Sequence, residues 1–228
     1  MLISHKHKFL IINIQKTGTK SLRKSLGNLN VIDVIGPPLP ISSKIKFRHH
    51  SPMNEVVEGF KEEGWDINRY FKFSVVRNPW DRYFSFFTYY KTKLKIYQET
   101  KEPLNDNRQK QKKNTLDLFN GKTDLQILTS IIEKYPQQQK YLIDINGDVV
   151  MDKIGQLENI SNDFNEFCEA VGITQTPKLL HENKSVNQRI IKEELYTNEE
   201  YNTWRDEVLK REDYKCEYCD EQATHVHH

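Results

Sequence analysis

The sequence has few cysteines, no long apolar run and almost no net charge, and each of these absences excludes a class of protein. Three cysteines among 228 residues do not make the disulfide framework of a small secreted domain. No run approaches the ~20 apolar residues of a membrane-spanning helix, and the first residues lack a signal-peptide pattern. A net charge of +2 gives no overall field for nucleic acid. We therefore expect a cytoplasmic protein without membrane or nucleic-acid partners.

Two segments each combine a short apolar run, a polar loop and a helix. In the first, residues 9–14 are rich in β-branched side chains and predict a buried parallel strand. A polar loop at residues 15–19 follows, and residues 21–26 predict a helix ended by Gly27. Backbone N–H groups, the Lys16 ammonium and several hydroxyls would meet at this loop, which is how phosphates are commonly bound. The alternative is an ordinary strand-to-helix connection with an incidental lysine.

The second segment repeats the pattern further along the chain. Residues 71–76 predict another strand, which ends at Arg77. Asn78 is a favourable N-cap and Pro79 a favourable first helical residue, so a helix is predicted to begin there. Ser85 follows two helical turns after Asn78, on the same face. A guanidinium and a hydroxyl could therefore bind a second phosphate.

Together these segments resemble the carbohydrate sulfotransferases of the membrane-anchored Golgi type and their bacterial relatives. The similarity covers about residues 9–187. It is carried by four pieces in the family's order: Lys16-Thr-Gly-Thr-Lys-Ser21, Arg77-Asn-Pro-Trp-Asp-Arg with Ser85 behind it, Gln156-Leu-Glu158-Asn with Asp163-Phe164, and His181-Glu-Asn183-Lys184-Ser185. The second piece, with its preceding strand, is the most specific.

The resemblance implies an α/β, P-loop-like three-layer fold with a central, mainly parallel sheet. It also implies 3'-phosphoadenosine 5'-phosphosulfate (PAPS) as co-substrate, 3',5'-adenosine bisphosphate as product, and a hydroxylated acceptor, a glycan in most of the family. By this analogy the 5'-phosphosulfate is bound by Lys16, Thr17, Gly18, Thr19, Lys20 and Ser21. The 3'-phosphate is bound by Arg77 and Ser85, and the late loop contributes Lys184 and Ser185. Thr19 and Lys20 depart from the small residues usual in the family, and the role of Lys20 stays open. Because this chain lacks the Golgi anchor, a bacterial or viral origin is suggested.

A phosphate-binding kinase or NTPase is the nearest competing enzyme class. In that class the glycines precede the lysine of the loop, whereas Gly18 follows Lys16. The second strand ends in Arg77 rather than in the aspartate that holds magnesium. The sequence therefore argues against a kinase and for a site without a catalytic metal.

Sulfuryl transfer needs positive charge on the leaving phosphate and a base for the acceptor hydroxyl. Lys16 is the candidate for the first role. Histidine suits the second near neutral pH, and His50 is chosen because family members resemble this segment with a histidine before Ser or Thr. His49 is the alternative base, and both could instead lie in an exposed loop ahead of a helix predicted to start with Ser51 as N-cap and Pro52 as first residue.

Other polar residues receive weaker assignments. Glu158 could accept a hydrogen bond from the acceptor, orient the base, or form a structural ion pair. His5 and His7 are assigned to a frayed N-terminus without a chemical role. Two further strands at residues 141–145 and 148–152 are predicted around the hairpin signal Asn146-Gly147.

The last part of the chain poses a separate question. Residues from about 196 include a short helical segment and a tail with Cys216, Cys219, His225 and His227, which resembles the opening of an HNH endonuclease. The second half of that motif is missing, so no nuclease activity is expected. The four side chains could bind zinc, but His-x-His is not the usual second half of a zinc site, and zinc is not expected. We predict a sulfotransferase-like domain at residues 1–195 and this tail at 196–228.

Two alternatives from other functional classes remain open at this stage. One is a degenerate nucleotide-binding protein without transferase activity. The other is a DNA-associated protein that acts through the HNH-like tail.

Overall fold

A computed structural model describes residues 1–27, 34–35, 47–99, 105–175 and 177–179, together with the single positions 199, 202, 203, 206 and 210. The chain divides into two units, which are considered separately below. The first unit comprises Met1–Asn78 and Gln137–Asn183. The second comprises Pro79–Pro136 and Lys184–His228.

The first unit contains a five-stranded sheet. Its strands are β1 (Leu2–Ser4), β2 (Phe9–Ile12), β3 (Val34–Ile35), β4 (Phe71–Val76) and β5 (Lys153–Gln156), in the spatial order β3-β1-β2-β4-β5. β2, β4 and β5 run parallel, whereas β1 is antiparallel to both of its neighbours. The strands predicted at residues 9–14 and 71–76 are confirmed, although β2 ends two residues earlier than expected.

Helices cover both faces of this sheet. Alternate side chains of a strand point to opposite faces, so Phe9 and Ile11 pack with α1 (Thr19–Gly27) and α6 (Ile160–Ala170). Leu10 and Ile12 pack on the other face with α2 (Met53–Glu62). The fold is therefore a three-layer α/β arrangement whose central strands are parallel.

The expectation that the first residues are frayed is wrong. Leu2 and Ile3 are fully buried, because β1 forms a short antiparallel hairpin with β2. His5 lies in the turn of that hairpin, where its ring packs edge-on against Trp65, with ring centroids 4.4 Å apart. Its Nδ1 forms a hydrogen bond of 2.8 Å with the Tyr70 hydroxyl. A strand of three residues gives too short a pattern to stand out in sequence.

The predicted hairpin around Asn146-Gly147 forms only in part. Gly147 has φ +88°, and the Asp144 N–H donates to the Asp148 carbonyl at 2.9 Å, so the turn is present. The flanking strands are reduced to the single bridge between Ile143 and Val149. Ile145 is 84% exposed, and an isolated hairpin without a buried face is only marginally stable. Residues Gln139–Tyr141 form a 3-10 turn instead of the start of a strand.

The second unit is helical where it is described. It contains α3 (Pro79–Glu99), α4 (Asp106–Phe119) and α5 (Asp124–Lys134). Pro79 is the first residue of α3, as predicted. Aromatic residues of α3, among them Trp80, Tyr83 and Phe87, pack against the apolar face of α5. Within the described residues, no helix has both the length and the apolar character of a membrane span.

Candidate functional site

The two predicted anion-binding segments meet in the first unit. β2 and β4 are neighbouring parallel strands, so the segments that follow them leave the sheet at the same edge. One Arg77 guanidinium nitrogen, Nη1, donates to the Lys16 carbonyl oxygen at 3.4 Å. In α/β sheets, ligands bind at the carboxyl ends of parallel strands. The two predicted segments, each with a cationic residue, therefore meet at this edge of the sheet.

The loop after β2 has an unusual backbone. Lys16 has φ +68° and Gly18 has φ +79°, so two residues lie in the left-handed region. This conformation costs a non-glycine residue roughly 1 kcal/mol, and such strain is common at functional sites. A Cβ atom on Gly18 would lie 2.6 Å from Leu157 Cδ1, so any other residue here would also have to displace the end of that side chain.

The buried hydroxyl of Thr17 and the first turn of α1 determine the shape of this loop. The Thr17 side chain is fully buried and its Oγ1 donates to the Ile14 carbonyl at 3.0 Å, which secures the loop from below. α1 begins at Thr19, two residues before the predicted start, so Thr19, Lys20 and Ser21 form its first turn. The N–H of Ser21 donates to the Gly18 carbonyl at 2.9 Å.

Positive charges accumulate beside this loop. Burial, together with the positive charges of Arg77 and Lys20, lowers the pKa of Lys16 to about 8. Like charges disfavour each other's ionised state, and a bound anion reverses that effect. Three cationic side chains therefore interact beside this loop, an arrangement that a bound anion would stabilise.

The position of Arg77 depends on a residue that the sequence did not indicate. The Arg77 N–H donates to Gln138 Oε1 at 2.9 Å, and Gln138 Nε2 donates to the Arg77 carbonyl at 2.7 Å. The Gln138 side chain is fully buried. It lies in a run of three glutamines, a composition typical of an exposed loop, so no local signal distinguishes it.

Glu158 also contacts the backbone next to Arg77. Its Oε1 accepts a hydrogen bond of 3.0 Å from the Asn78 N–H. Glu158 lies in the 3-10 turn Leu157–Asn159 that directly follows β5. The structure thus brings this predicted residue to the same edge of the sheet as Arg77.

The two candidate histidines have different environments. His50 Nδ1 lies 2.7 Å from the Asn13 carbonyl oxygen. A carbonyl can only accept, so Nδ1 carries the hydrogen and the lone pair is on Nε2. His49 Nε2 instead accepts from Arg23 Nη1 at 3.2 Å. Burial, reinforced by nearby positive charges, lowers the pKa of His49 to about 4.

The helix start after these histidines is shifted from the prediction. α2 begins at Met53, and Pro52 rather than Ser51 occupies the N-cap position. Ser51 Oγ accepts from the Arg48 N–H at 2.8 Å, so its hydroxyl closes the turn that contains both histidines. That hydrogen bond competes with helix capping, which explains the shift.

A family model described as "Sulfotransferase family" matches residues 1–218 of this chain. The chain belongs to the sulfotransferase family. Comparisons with curated proteins and with solved structures gave no significant match. The family assignment confirms the expected sulfotransferase family at this general level.

The remaining predicted residues of this sulfotransferase are not among the described residues of the first unit. Ser85 belongs to α3 of the second unit, where it is 7% exposed and its carbonyl accepts from Thr88 Oγ1 at 3.3 Å. Lys184 and Ser185 lie outside the described residues. The same holds for the tail residues Cys216, Cys219, His225 and His227. Within the described ranges, no group of three or more His, Cys, Asp or Glu side chains could hold a metal ion.

Proposed function

We propose that this sulfotransferase moves a sulfuryl group from PAPS to a hydroxyl of a saccharide acceptor. The observation that carries the proposal is the convergence of Lys16 and Arg77 at the ends of two adjacent parallel strands. Burial, together with the charges of Arg77 and Lys20, lowers the pKa of Lys16 to about 8, and a bound anion would offset these effects. A dianionic phosphate or a phosphosulfate is the kind of group that such a loop binds.

The donor would be bound from both of its ends. Lys16 to Ser21 would bind the 5'-phosphosulfate through the lysine ammonium and the first turn of α1. Arg77 would bind the 3'-phosphate, with Ser85, Lys184 and Ser185 assigned to the same nucleotide by the family resemblance. The cationic residues present fit such a donor, and none of these roles needs a metal ion.

In the transfer step, His50 would act as the general base. Its Nε2 takes the proton of the acceptor hydroxyl as the acceptor oxygen bonds to sulfur and the bond from sulfur to the bridging phosphate oxygen breaks. Lys16 offsets the negative charge that develops on the leaving phosphate. His49 is less suited, because its Nε2 already accepts from Arg23 and its pKa is about 4.

The saccharide acceptor rests on the resemblance to carbohydrate sulfotransferases. In-line attack requires the acceptor hydroxyl to lie between the sulfur of the donor and the base. The proposal therefore predicts that transfer depends on His50, while donor binding does not.

The first test is calorimetric titration with 3',5'-adenosine bisphosphate. We expect the wild type to bind it, and Lys16→Ala and Arg77→Ala each to weaken binding by tenfold or more, about the effect of losing one charge-assisted hydrogen bond. Absence of binding to the wild type would refute the donor assignment.

The second test is transfer of labelled sulfate from PAPS to glycan fractions. We expect His50→Ala to lose transfer by about 100-fold or more and to keep bisphosphate affinity. His49→Ala is the matched control and should keep most of the activity. Donor binding without transfer to any acceptor would favour a degenerate nucleotide-binding protein.

A further inference from the structure

A single turn of the first unit contacts both anion-binding segments. This turn comprises Gln138 and the 3-10 turn Gln139–Tyr141, and we refer to it as the 138–141 turn. Its first residue hydrogen-bonds to Arg77 and its last to Gln15, the residue before Lys16. All of these residues belong to the first unit.

The contact with Arg77 fixes the end of β4. The Gln138 side-chain amide accepts through Oε1 from the Arg77 N–H at 2.9 Å and donates through Nε2 to the Arg77 carbonyl at 2.7 Å. Arg77 directly follows the last residue of β4, so its N–H and carbonyl are not part of the β4 pairs with β2 and β5. A buried backbone group without a partner is costly. The amide of Gln138 thus replaces the pairing that a longer strand would provide.

The contact with Gln15 secures the first loop. The Tyr141 hydroxyl donates to Gln15 Oε1 at 2.6 Å, and the tyrosine is only 6% exposed. The next residue, Lys16, has φ +68°. A strained residue keeps its conformation only where its surroundings determine it. The hydrogen bond from Tyr141 constrains Gln15, the residue before Lys16, and so helps to hold Lys16 in its strained conformation.

We infer that the 138–141 turn is a positioning element for the donor site, in which Gln138 orients Arg77 and Tyr141 orients the Lys16 loop. The inference rests on the proposed function, because the site it positions is the proposed donor site. Neither residue needs to touch the ligand. Loss of either hydrogen bond should therefore weaken donor binding through the geometry of Arg77 or Lys16.

The chain provides a matched control for Tyr141. Tyr70 is 5% exposed, packs in the same apolar cluster, and its hydroxyl is also hydrogen-bonded to one side chain, that of His5 at 2.8 Å. Tyr70 directly precedes β4 and so lies at the opposite end of that strand from Arg77. Tyr70→Phe and Tyr141→Phe each remove one buried hydroxyl, and they should lower the melting temperature by similar amounts.

The test is calorimetric affinity for 3',5'-adenosine bisphosphate alongside the melting temperature of each variant. We expect Tyr141→Phe to weaken affinity about fivefold, as for the loss of one hydrogen bond. Tyr70→Phe should stay within about twofold of wild type. Gln138→Met should weaken affinity by tenfold or more, since two hydrogen bonds are lost.

The outcomes separate this inference from the proposed function. If the wild type binds the bisphosphate and Tyr141→Phe binds it equally well, the positioning role is overturned and the donor site stands. An equal loss of bisphosphate affinity in Tyr70→Phe would also overturn the positioning role, since the loss would then follow from lower overall stability. If the wild type does not bind, the proposed function itself fails and this inference fails with it. Gln138→Met is the stronger perturbation. If Gln138→Met does not fold, Tyr141→Phe alone decides the question.

Discussion

Replacement of Gly18 by alanine tests the geometry of the first loop most directly. Two costs add at this position. The backbone has φ +79°, which costs a non-glycine residue about 1 kcal/mol. The added Cβ would lie 2.6 Å from Leu157 Cδ1, and displacing that partly buried side chain should cost about 1 kcal/mol more. We therefore expect Gly18→Ala to lower the free energy of unfolding by ~2 kcal/mol.

Gly64 offers a control for the backbone term alone. Its φ is +71°, and a Cβ there would meet nothing within 4 Å. Gly64→Ala should cost only about 1 kcal/mol. Both variants can be measured by urea unfolding, together with Gly18→Ala in a Leu157→Ala background, where the steric cost should disappear. The reasoning is refuted if Gly18→Ala is no more destabilising than Gly64→Ala, or if Leu157→Ala fails to reduce the difference.

Further predictions concern charge and packing at the same edge of the sheet. Because Lys16 has a pKa of about 8, the affinity of the wild type for the bisphosphate should fall as pH rises through 8. Lys16→Arg stays charged, so its affinity should be equal on both sides of that pH. A wild-type affinity that calorimetry shows to be independent of pH would contradict this. Glu158→Gln keeps an acceptor for the Asn78 N–H and should bind the bisphosphate like the wild type. Glu158→Ala loses that acceptor and should bind it several-fold more weakly. Equal affinities of the two variants would exclude a positioning role for Glu158. Gly155→Ala would bring a Cβ within 2.9 Å of Asp163 Cβ, which belongs to α6. The free energy of urea unfolding should therefore fall by about 1–3 kcal/mol. An unchanged urea midpoint would show that α6 can shift to make room for the added methyl group.

The parts of the fold with strong local signals were predictable. The β-branched run at β2 and the Asn78-Pro79 helix start depend on residues that are neighbours in sequence. Lys16 and Arg77 lie at one edge because β2 and β4 are parallel neighbours in the sheet.

What could not be predicted depends on contacts between distant residues. Gln138 pairs with Arg77 across 61 positions, and nothing near Gln138 indicates that its amide is buried. β1 is stabilised by pairing with β2 and β3 rather than by its own three residues. Ser51 was expected to cap α2, but its hydroxyl is used by the preceding turn.

The pairing of β2 with β4 also has a consequence for folding kinetics. These strands are far apart in sequence, so their association requires closure of a long loop and is expected to be slow. The β1–β2 hairpin is local and can form early. The edge that carries Lys16 and Arg77 therefore exists only after the slow step. A ligand of this edge should slow the unfolding of the native protein without accelerating its refolding.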